Sequence, residues 1–559
     1  MPYTNIMIGG EAGQGLATVG QLLSKSLVRA GYHILVRQDY MSRVRGGHNT
    51  FAIRAGLEPV KAPCDQVDLL LALNQETVDL HAAQLADTGL VLMDRGLDSK
   101  GARHLAIPFK DLAPKPIFHN VVGLGVLASL LGLDRKEPER LLRDTFGKKG
   151  DAIVNQNLEV LDAAYAWVAE QGADFPPLPQ AEPGRRLMMQ SNEAIALGAM
   201  AAGCNFCSFY PMTPSTSVAM NLIAKGRDLG VVVEQVEDEI AAVNMALGAA
   251  WAGARSIVST SGGGFALMVE GVSLSGVAEV PIVMVLAQRP GPATGLATRT
   301  EQGELNMVLT AGHGEFPRAV FAPWSMEDFF HLTHKAFDVA ERIQGPAFIL
   351  TDQYSADSLR SVEPFDLDNL PAVAGPDLSD DDAENYKRYA ITASGVSPRR
   401  IPGLGTSLSV ADSHEHVESG HMSEDADNRT AMNDKRLRKE QAILGDVVPP
   451  DYLGDASPEL LLVCWGSTRG AVEEAADRLR EQGRTAAVLH FKQLWPLVPD
   501  QFLDKLEAAG RVVCVEGNAT GQFEALLRRE TGFRAHGKVL KYDGRTFTSD
   551  YILSALEKT

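Results

Sequence analysis

The stretch VVVEQVEDEIAAVNMALGAAWAGARSIVSTSGGGFALMVE, residues 231–270, decides the fold. Its first six residues are predicted to form a strand, and an alanine-rich run with helical spacing follows at 240–252. A second apolar strand, Ser256–Thr260, leads into a turn of three glycines and another helical run. Apolar strands that alternate with helices are typical of a parallel sheet covered on both faces. This stretch therefore predicts an α/β fold.

The same alternation extends over most of the 559 residues, and two segments of different composition interrupt it. The first is rich in proline, and the second is polar and irregular, as in a linker or a partner-contact arm. The predicted organisation is a domain at 1–171, a proline-rich linker at 172–186, a domain at 187–356, a polar arm at 357–455 and a domain at 456–559. Further strands are expected at 5–8, 33–36, 69–73, 90–93, 205–210, 281–288, 347–351, 461–465, 486–490 and 512–515.

The charge balance limits the possible partners. The chain has 52 Lys and Arg against 71 Asp and Glu, a net charge of −19, which disfavours nucleic acid and anionic membranes as partners.

Five cysteines, of which only Cys204 and Cys207 are close in sequence, indicate neither a disulfide framework nor an iron–sulfur cluster and fit a reducing cytoplasm. The longest apolar run, residues 121–133, is too short to span a membrane, so a cytoplasmic location is expected.

Ligands of open parallel sheets bind beyond the carboxyl ends of the strands, and several strands here end in polar motifs. The strand at 205–210 is followed by YPMTPSTS, residues 210–217, which places four hydroxyl groups at the start of a helix. Hydroxyl and free amide groups in this position can bind a carboxylate or a phosphate. Ordinary helix capping explains the same residues equally well.

Two further strand ends carry charged residues. Glu237, Asp238 and Glu239 stand where a strand becomes a helix, and such acids often only complement the helix dipole. Because an alanine-rich face follows Glu239 directly, we expect a carboxyl group buried in a cleft. The strand at 281–288 ends at Arg289, whose guanidinium can bind a carboxylate through two hydrogen bonds beside the hydroxyls of Thr298 and its neighbours.

The N-terminal turn GGEAGQG, residues 9–15, lacks the spacing of a dinucleotide fingerprint, because Thr18 occupies the third small position. A glycine turn before a helix can still accept a phosphate. Arg43, Arg45 and the adjacent residues 46–48 form a short basic patch, for which a solvated loop is the simpler interpretation.

Two groups of potential metal ligands have simpler explanations. Cys204 and Cys207 form an isolated CxxC pair, for which buried structural thiols are favoured over a redox or zinc site. His414, His416, Glu418 and His421 have a spacing that a metal could use, but their acidic surroundings favour a solvated surface. No metal site is therefore predicted in this chain.

The motifs together resemble one family, the 2-oxoacid:ferredoxin oxidoreductases, and within it the large subunit in which gamma and alpha portions are fused. The resemblance is carried by GGEAGQG (9–15), RGGHN (45–49), SNEAIALGAMAAG (191–203), YPMTPST (210–216), VEDEIAAVNMALGAAWAGAR (236–255), STSGGGFALM (259–268), QRPGPATGLATRTEQGEL (288–305) and VEGNATGQ (515–522). It spans nearly the whole chain.

The resemblance implies that residues 187–356 bind the aminopyrimidine of thiamine diphosphate. The residue matching the cofactor glutamate is Glu239, with Glu237 as the alternative. Its carboxylic proton on the ring nitrogen favours the imino tautomer, which deprotonates the thiazolium carbon. Thr213, Arg289 and Thr298 match ligands of the substrate carboxylate and carbonyl. Catalytic roles are thus expected for Glu239, Thr213 and Arg289, and further cofactor contacts for Tyr210 and Pro211.

The resemblance also assigns the outer regions. Residues 1–171 resemble the gamma domain, with Gly13, Gln14, Gly15 and Arg45 as expected contacts of coenzyme A, and residues 456–559 resemble the transketolase C-terminal domain. This chain lacks the GDG and NN signature that holds Mg²⁺ on the diphosphate, and it lacks cysteines for a cluster. Mg²⁺ and a [4Fe-4S] cluster are therefore expected on a separate beta subunit, in a dimer of heterodimers.

The expected reaction is CoA-dependent oxidative decarboxylation of a 2-oxoacid to an acyl-CoA and CO₂ with electrons passed to ferredoxin, or its reversal as a carboxylase in a reductive tricarboxylic acid cycle. The fused layout resembles the two-subunit 2-oxoglutarate type of this family, and this resemblance favours 2-oxoglutarate as the substrate, giving succinyl-CoA. Pyruvate, branched-chain and aromatic 2-oxoacids remain alternatives, because pocket shape alone decides among them. A non-catalytic scaffold that binds CoA or nucleotides is the rival hypothesis, which the fold alone permits.

Overall fold

A computed structural model describes residues 3–42, 46–113, 115–379 and 383–558 of the chain. Two compact units emerge. Unit 1 comprises residues 1–189, 357–365 and 548–550, and unit 2 comprises residues 190–356, 366–547 and 551–559. The predicted α/β class is confirmed, since the described residues form three sheets rich in parallel strand pairs.

The secondary structure alternates between strands and helices along most of the chain. The strands are β1 Tyr3–Glu11, β2 His33–Asp39, β3 His48–Gly56, β4 Val67–Ala72, β5 Leu85–Asp94, β6 His104–Ile107, β7 Leu187–Met189, β8 Phe206–Phe209, β9 Val232–Gln235, β10 Ser256–Thr260, β11 Ile282–Gln288, β12 Ala319–Phe321, β13 Pro346–Asp352, β14 Leu359–Val362, β15 Asp451–Gly454, β16 Leu460–Trp465, β17 Ala486–Phe491, β18 Gln493–Trp495, β19 Arg511–Glu516 and β20 Gly537–Leu540. The helices are α1 Leu16–Arg29, α2 Gln75–His81, α3 Phe109–Leu112, α4 His119–Leu130, α5 Lys136–Phe146, α6 Asp151–Gln171, α7 Ser191–Ala201, α8 Thr216–Gly226, α9 Glu239–Trp251, α10 Gly262–Ala278, α11 Leu305–Thr310, α12 Met326–Ile343, α13 Gln353–Asp357, α14 Ala426–Arg438, α15 Gln441–Leu444, α16 Arg469–Glu481, α17 Leu503–Ala508, α18 Gln522–Thr531 and α19 Ser549–Leu556.

The sheet of unit 1 has the order β6-β5-β4-β1-β3-β2-β14-β7. The strands β1, β4, β5 and β6 pair in parallel, as predicted, whereas β3, β2, β14 and β7 pair antiparallel. The prediction of a purely parallel layer was wrong for this half, because β2 and β3 form a hairpin with no crossover helix between them. Helix α1 packs its buried side, including Leu23 and Leu27, into the core of the unit.

The middle sheet of unit 2 has the order β18-β12-β13-β11-β10-β8-β9, and every pair is parallel except β12 with β18. All five strands predicted for this region are present. The strand β18 comes from the region predicted as a separate C-terminal domain, yet it extends this sheet. The carboxyl ends of β8, β10, β11 and β13 consequently share one edge of the sheet.

The third sheet, with the order β15-β17-β16-β19-β20, also belongs to unit 2. Its strands pair in parallel, apart from β15 with β17. One apolar core contains side chains from both sheets, including Phe348 of β13 and Phe491 of β17. The two regions predicted as separate domains therefore share buried surface within this unit.

The range 357–455, predicted to be an irregular arm, contains β14 of the first sheet, the helices α14 and α15, and β15 of the third sheet. Helix α14 is anchored by a buried carboxylate, Glu279, at the C-terminus of α10. The Lys435 amine lies 2.6 Å from Glu279 Oε1, and the Lys439 amine contacts Oε2. Burial by itself would raise the pKa of Glu279, but Lys439, Lys435 and Arg388 together lower it. A paired, ionised cluster therefore anchors this helix, and the range is only partly irregular.

Glu279→Gln is expected to lower the free energy of unfolding by about 3–5 kcal/mol, because it leaves two buried amines without a counter-charge. A matched control is Glu193→Gln, which breaks the half-exposed pair of Glu193 with Lys225 at 3.0 Å and should cost about 0–1 kcal/mol. Urea denaturation followed by tryptophan fluorescence measures both changes. Equal losses in the two variants would contradict the anchoring role of Glu279.

Candidate active site

Glu239 is the first residue of α9 and is 3% exposed. The helix begins here because the Asp238 side chain accepts a hydrogen bond of 2.7 Å from the Ala241 N–H. The Glu239 Oε1 atom is buried and has no hydrogen-bond partner among the described residues. Burial raises the pKa of Glu239, which favours the neutral acid. The alternative residue Glu237 is exposed.

The glycine turn that follows β10 lies directly against this carboxyl. A Cβ atom at Gly264 would come within 2.4 Å of Glu239 Oε1 and 2.2 Å of Thr260 Oγ1, so only glycine fits this position. The hydroxyls of Ser259 and Ser261 are also buried without a hydrogen-bond partner within the described part of the chain. Orphaned, buried polar atoms at the carboxyl end of a parallel strand are expected where a polar ligand binds.

Arg289, after β11, and Thr213, after β8, are in direct contact. The Arg289 Nη1 atom donates a hydrogen bond of 2.6 Å to the Thr213 backbone carbonyl. Partial burial lowers the pKa of Arg289, an effect that Glu304 opposes. The peptide bond between Thr213 and Pro214 is cis. Thr213 and Arg289 are therefore in contact, through the backbone carbonyl of Thr213.

A short chain of contacts links this pair to Glu239. The Thr260 hydroxyl lies 4.0 Å from the sulfur of Met212, the residue that precedes Thr213. The same hydroxyl packs against Gly264, which is also in contact with the Glu239 carboxyl. The other expected site residues are on the same loops: Tyr210 and Pro211 are exposed, and Thr298 is half-buried.

Two residues in the loop after β11 were not predicted as site residues. Glu304 has a buried Oε2 with no hydrogen-bond partner in the described ranges, and Oε1 packs against Gly262. Burial, with a smaller contribution from Glu301, raises the pKa of Glu304 to about 8. Glu301 and Glu304 both lie within the motif QRPGPATGLATRTEQGEL, but the motif does not indicate that the Oε2 atom of Glu304 becomes buried.

The second residue is Gln302, which fixes the loop. Its amide donates to the Trp465 carbonyl at 2.9 Å and accepts from the Gly517 N–H at 2.8 Å. The Asn518 side chain donates to the Gln302 carbonyl at 3.2 Å. Trp465 is the last residue of β16, and Gly517 and Asn518 directly follow β19, so the C-terminal sheet fixes the loop that carries Glu304.

The turn predicted to contact coenzyme A lies after β1 in unit 1. Gly13 and Gly15 have left-handed backbones, with φ of 99° and 83°, and Gly15 caps α1. Gln14 accepts a hydrogen bond of 2.7 Å from the Glu11 N–H. Within the described residues no side chain caps α1, so its first N–H groups remain available to a phosphate. Arg45 lies outside the described residues.

The remaining cysteine and histidine motifs form no metal site in the described ranges, where no three His, Cys, Asp or Glu side chains are suitably grouped. Cys204 and Cys207 are buried, and burial raises the pKa of the Cys204 thiol to about 12. The prediction of a solvated surface was wrong for His416, which is fully buried with its ring 4.0 Å from that of Tyr389. No helix in the described ranges is long and apolar enough to cross a membrane.

Comparisons with protein families agree with this architecture. Residues 197–435 match the thiamine-diphosphate-binding model of pyruvate flavodoxin/ferredoxin oxidoreductases. Residues 5–167 match the pyruvate ferredoxin/flavodoxin oxidoreductase model, and residues 453–532 match the transketolase C-terminal domain. The fold and the site thus define a subunit of a thiamine-diphosphate-dependent oxidoreductase.

Individual relatives cover the whole chain. A 2-oxoacid:ferredoxin oxidoreductase alpha subunit from Sulfolobus is 31% identical over 99% of this chain and 96% of its own. The 2-oxoglutarate oxidoreductase subunit KorA of Mycobacterium tuberculosis is 27% identical over 98% of this chain and 90% of its own length. The 2-oxoglutarate:ferredoxin oxidoreductase of Magnetococcus marinus has been solved with 2-oxoglutarate, coenzyme A and succinyl-CoA bound. Its sequence is 28% identical to this chain, the alignment covers 100% of this chain and 99% of that one, and the TM-score is 0.94. The chain belongs to the 2-oxoacid:ferredoxin oxidoreductase family, as its alpha subunit.

Gly264→Ala is expected to destabilise the chain by about 1–3 kcal/mol, because the new methyl group displaces the Glu239 carboxyl. Gly263→Ala is the matched control, since its Cβ would meet only the Ala293 carbonyl, at 3.7 Å. The control should be neutral or slightly stabilising, as alanine favours a helix. Thermal unfolding of both variants measures the difference, and equal midpoints would contradict the close packing of Glu239.

Proposed function

We propose that this chain is the large subunit of an enzyme that oxidatively decarboxylates 2-oxoglutarate with coenzyme A, giving succinyl-CoA, CO₂ and two electrons for ferredoxin. The observation that carries the substrate assignment is the full-length likeness to the Magnetococcus marinus enzyme, which has 2-oxoglutarate and succinyl-CoA bound. The relative from Mycobacterium tuberculosis, named as a 2-oxoglutarate oxidoreductase, supports the same choice.

The residues around Glu239 fit the aminopyrimidine end of thiamine diphosphate. The orphaned, buried Oε1 of Glu239 is a polar atom that needs a partner. A neutral Glu239 can donate a proton to a ring nitrogen, and burial favours that neutral form. When bound, the cofactor supplies the carbon nucleophile for the 2-oxo group. Tyr210 and Pro211, at the exposed rim, are proposed as further contacts.

Arg289, Thr213 and Thr298 are proposed to bind the carboxylate and carbonyl of the substrate. Arg289 is already oriented by the Thr213 carbonyl, so one side of its guanidinium is fixed before an anion binds. A guanidinium can hold a carboxylate by two parallel hydrogen bonds, which also orients the adjacent carbonyl. Coenzyme A is proposed to place a phosphate at Gly13, Gln14 and Gly15, with Arg45 as a further contact.

The complete enzyme is proposed to require a beta subunit that carries Mg²⁺ and a [4Fe-4S] cluster, in a dimer of heterodimers. The chain should therefore be co-expressed with the product of the adjacent gene. Methyl viologen reduction is then measured with 2-oxoglutarate, pyruvate, and branched-chain and aromatic 2-oxoacids, each with and without coenzyme A. Preference for another acid would reassign the substrate, and no turnover with any acid would favour a non-catalytic scaffold.

Glu239→Gln in that complex is expected to lower kcat on the order of 10²- to 10⁴-fold, because an amide cannot exchange the proton. Glu237→Gln is the matched control, since Glu237 is exposed, and its kcat should be unchanged. Co-purification with the beta subunit checks that assembly is intact. A loss in the Glu237 variant instead would transfer the cofactor role to that residue.

Arg289→Lys keeps the positive charge but loses the two-pronged geometry. We expect kcat/KM for the 2-oxoacid to fall roughly 10- to 150-fold, which corresponds to a loss of about 1.5–3 kcal/mol in transition-state binding free energy. The KM for coenzyme A should not change. Kinetics indistinguishable from those of the parent enzyme would show that another group binds the substrate carboxylate.

A further inference from the structure

Glu304 is held beside the candidate substrate site by packing and by its backbone. Its N–H donates a hydrogen bond of 3.1 Å to the side chain of Gln288, the last residue of β11. Its Oε1 packs so closely against Gly262 that a Cβ there would lie 2.4 Å away. The buried Oε2 has no hydrogen-bond partner in the part of the chain that the structure describes. The carboxyl is therefore fixed in position by these contacts.

The charged groups that act on Glu304 come from two elements. Glu301, on the same loop, disfavours ionisation, and Arg289, at the end of β11, favours it. The neighbouring residues Gln288 and Gly262 do not titrate. Burial is the largest effect, and the pKa of Glu304 rises to about 8. The carboxyl is consequently neutral at pH 7.

A neutral Glu304 matters because of Arg289. Arg289 hydrogen-bonds to a backbone carbonyl and forms no salt bridge with a described residue, and Glu304 is the acid that acts on its pKa. An ionised Glu304 would offset the positive charge of Arg289 and would add a negative charge beside the site. A 2-oxoacid is an anion throughout the neutral range, so it would bind less well.

We propose that the protonation state of Glu304 controls how much of the charge of Arg289 is available to the substrate carboxylate. As a neutral acid it leaves the charge of Arg289 free for the substrate carboxylate, and after releasing its proton to solvent it competes with that carboxylate for Arg289. The proposal rests on the proposed role of Arg289 in binding the 2-oxoacid. Glu304 acts through Arg289, and is therefore a positioning residue.

The first test is the pH dependence of KM for 2-oxoglutarate in the complete enzyme, measured by methyl viologen reduction. Because only the protonated fraction binds well, KM should rise about tenfold between pH 7 and pH 9. In Glu304→Gln the rise should disappear, since an amide stays neutral. The effect should fall on KM, and the pH profile of kcat should be the same in both enzymes.

Glu301→Gln is the matched control on the same loop. It removes the negative charge that disfavours ionisation of Glu304, so the rise in KM should persist but begin at a lower pH. A rise that disappears in the Glu301 variant and persists in the Glu304 variant would assign the titration to Glu301 and overturn the proposal.

Thermal unfolding of the isolated chain provides a readout that does not depend on activity. The pKa of Glu304 is raised in the folded chain, so its contribution to stability is fully present below about pH 4 and is lost as the pH rises through about 8. The midpoint of the parent chain should therefore fall more between pH 6 and pH 9 than that of Glu304→Gln. Parallel curves would mean that Glu304 does not titrate in this range, and would overturn the proposal.

Failure of the proposed function can be distinguished from failure of the proposed role of Glu304. If the complete enzyme turns over no 2-oxoacid, the proposed function fails, and this inference fails with it. If the enzyme is active but the KM of the Glu304 variant retains the parent pH profile, only this inference fails. A Glu304 variant that is folded but binds no substrate at pH 7 also contradicts it, because the neutral amide should leave Arg289 free.

Discussion

The contact between the Glu239 carboxyl and the backbone of Gly264 is the constraint on which the candidate site depends. Glu239 can lie at the edge of the sheet only because the residue beneath it has no side chain. The same closeness removes water from Oε1, and this burial favours the neutral acid. Fold and chemistry are therefore joined at one place, where the start of α9 and the glycine turn after β10 meet beyond the carboxyl ends of β9 and β10.

Buried acids in unit 2 are used in two opposite ways. Glu279 is surrounded by amines and stays ionised, so it binds α14 to the end of α10. Glu239 and the Oε2 atom of Glu304 are also buried, but neither carboxyl forms an ion pair with a described residue, so the pKa values of both acids rise. The difference lies in the partners and not in the residue type. A paired carboxylate suits anchoring, and an unpaired one suits holding a proton.

The C-terminal region contributes to the site although none of its residues was predicted as a site residue. Gln302 is hydrogen-bonded to Trp465, Gly517 and Asn518, which lie at the ends of β16 and β19. Gln522 adds a hydrogen bond of 2.7 Å to the Gly303 carbonyl. The loop between Arg289 and Glu304 therefore takes its shape from partners more than 160 positions away.

The sequence by itself determined the α/β class, the strands of the middle sheet, the family, and the motifs at the strand ends, because apolar periodicity and local turn chemistry are encoded by neighbouring residues. It did not predict the antiparallel half of the first sheet, the helix α14 or the burial of His416, all of which depend on distant pairing. It also proposed Glu239 over Glu237, and the structure buries the first and exposes the second. Only the tertiary structure decided that the Oε2 atom of Glu304 is buried and that Gln302 is held by the C-terminal sheet. The physical reason is that a pKa and a hydrogen-bond partner depend on groups that the chain brings together only when it folds.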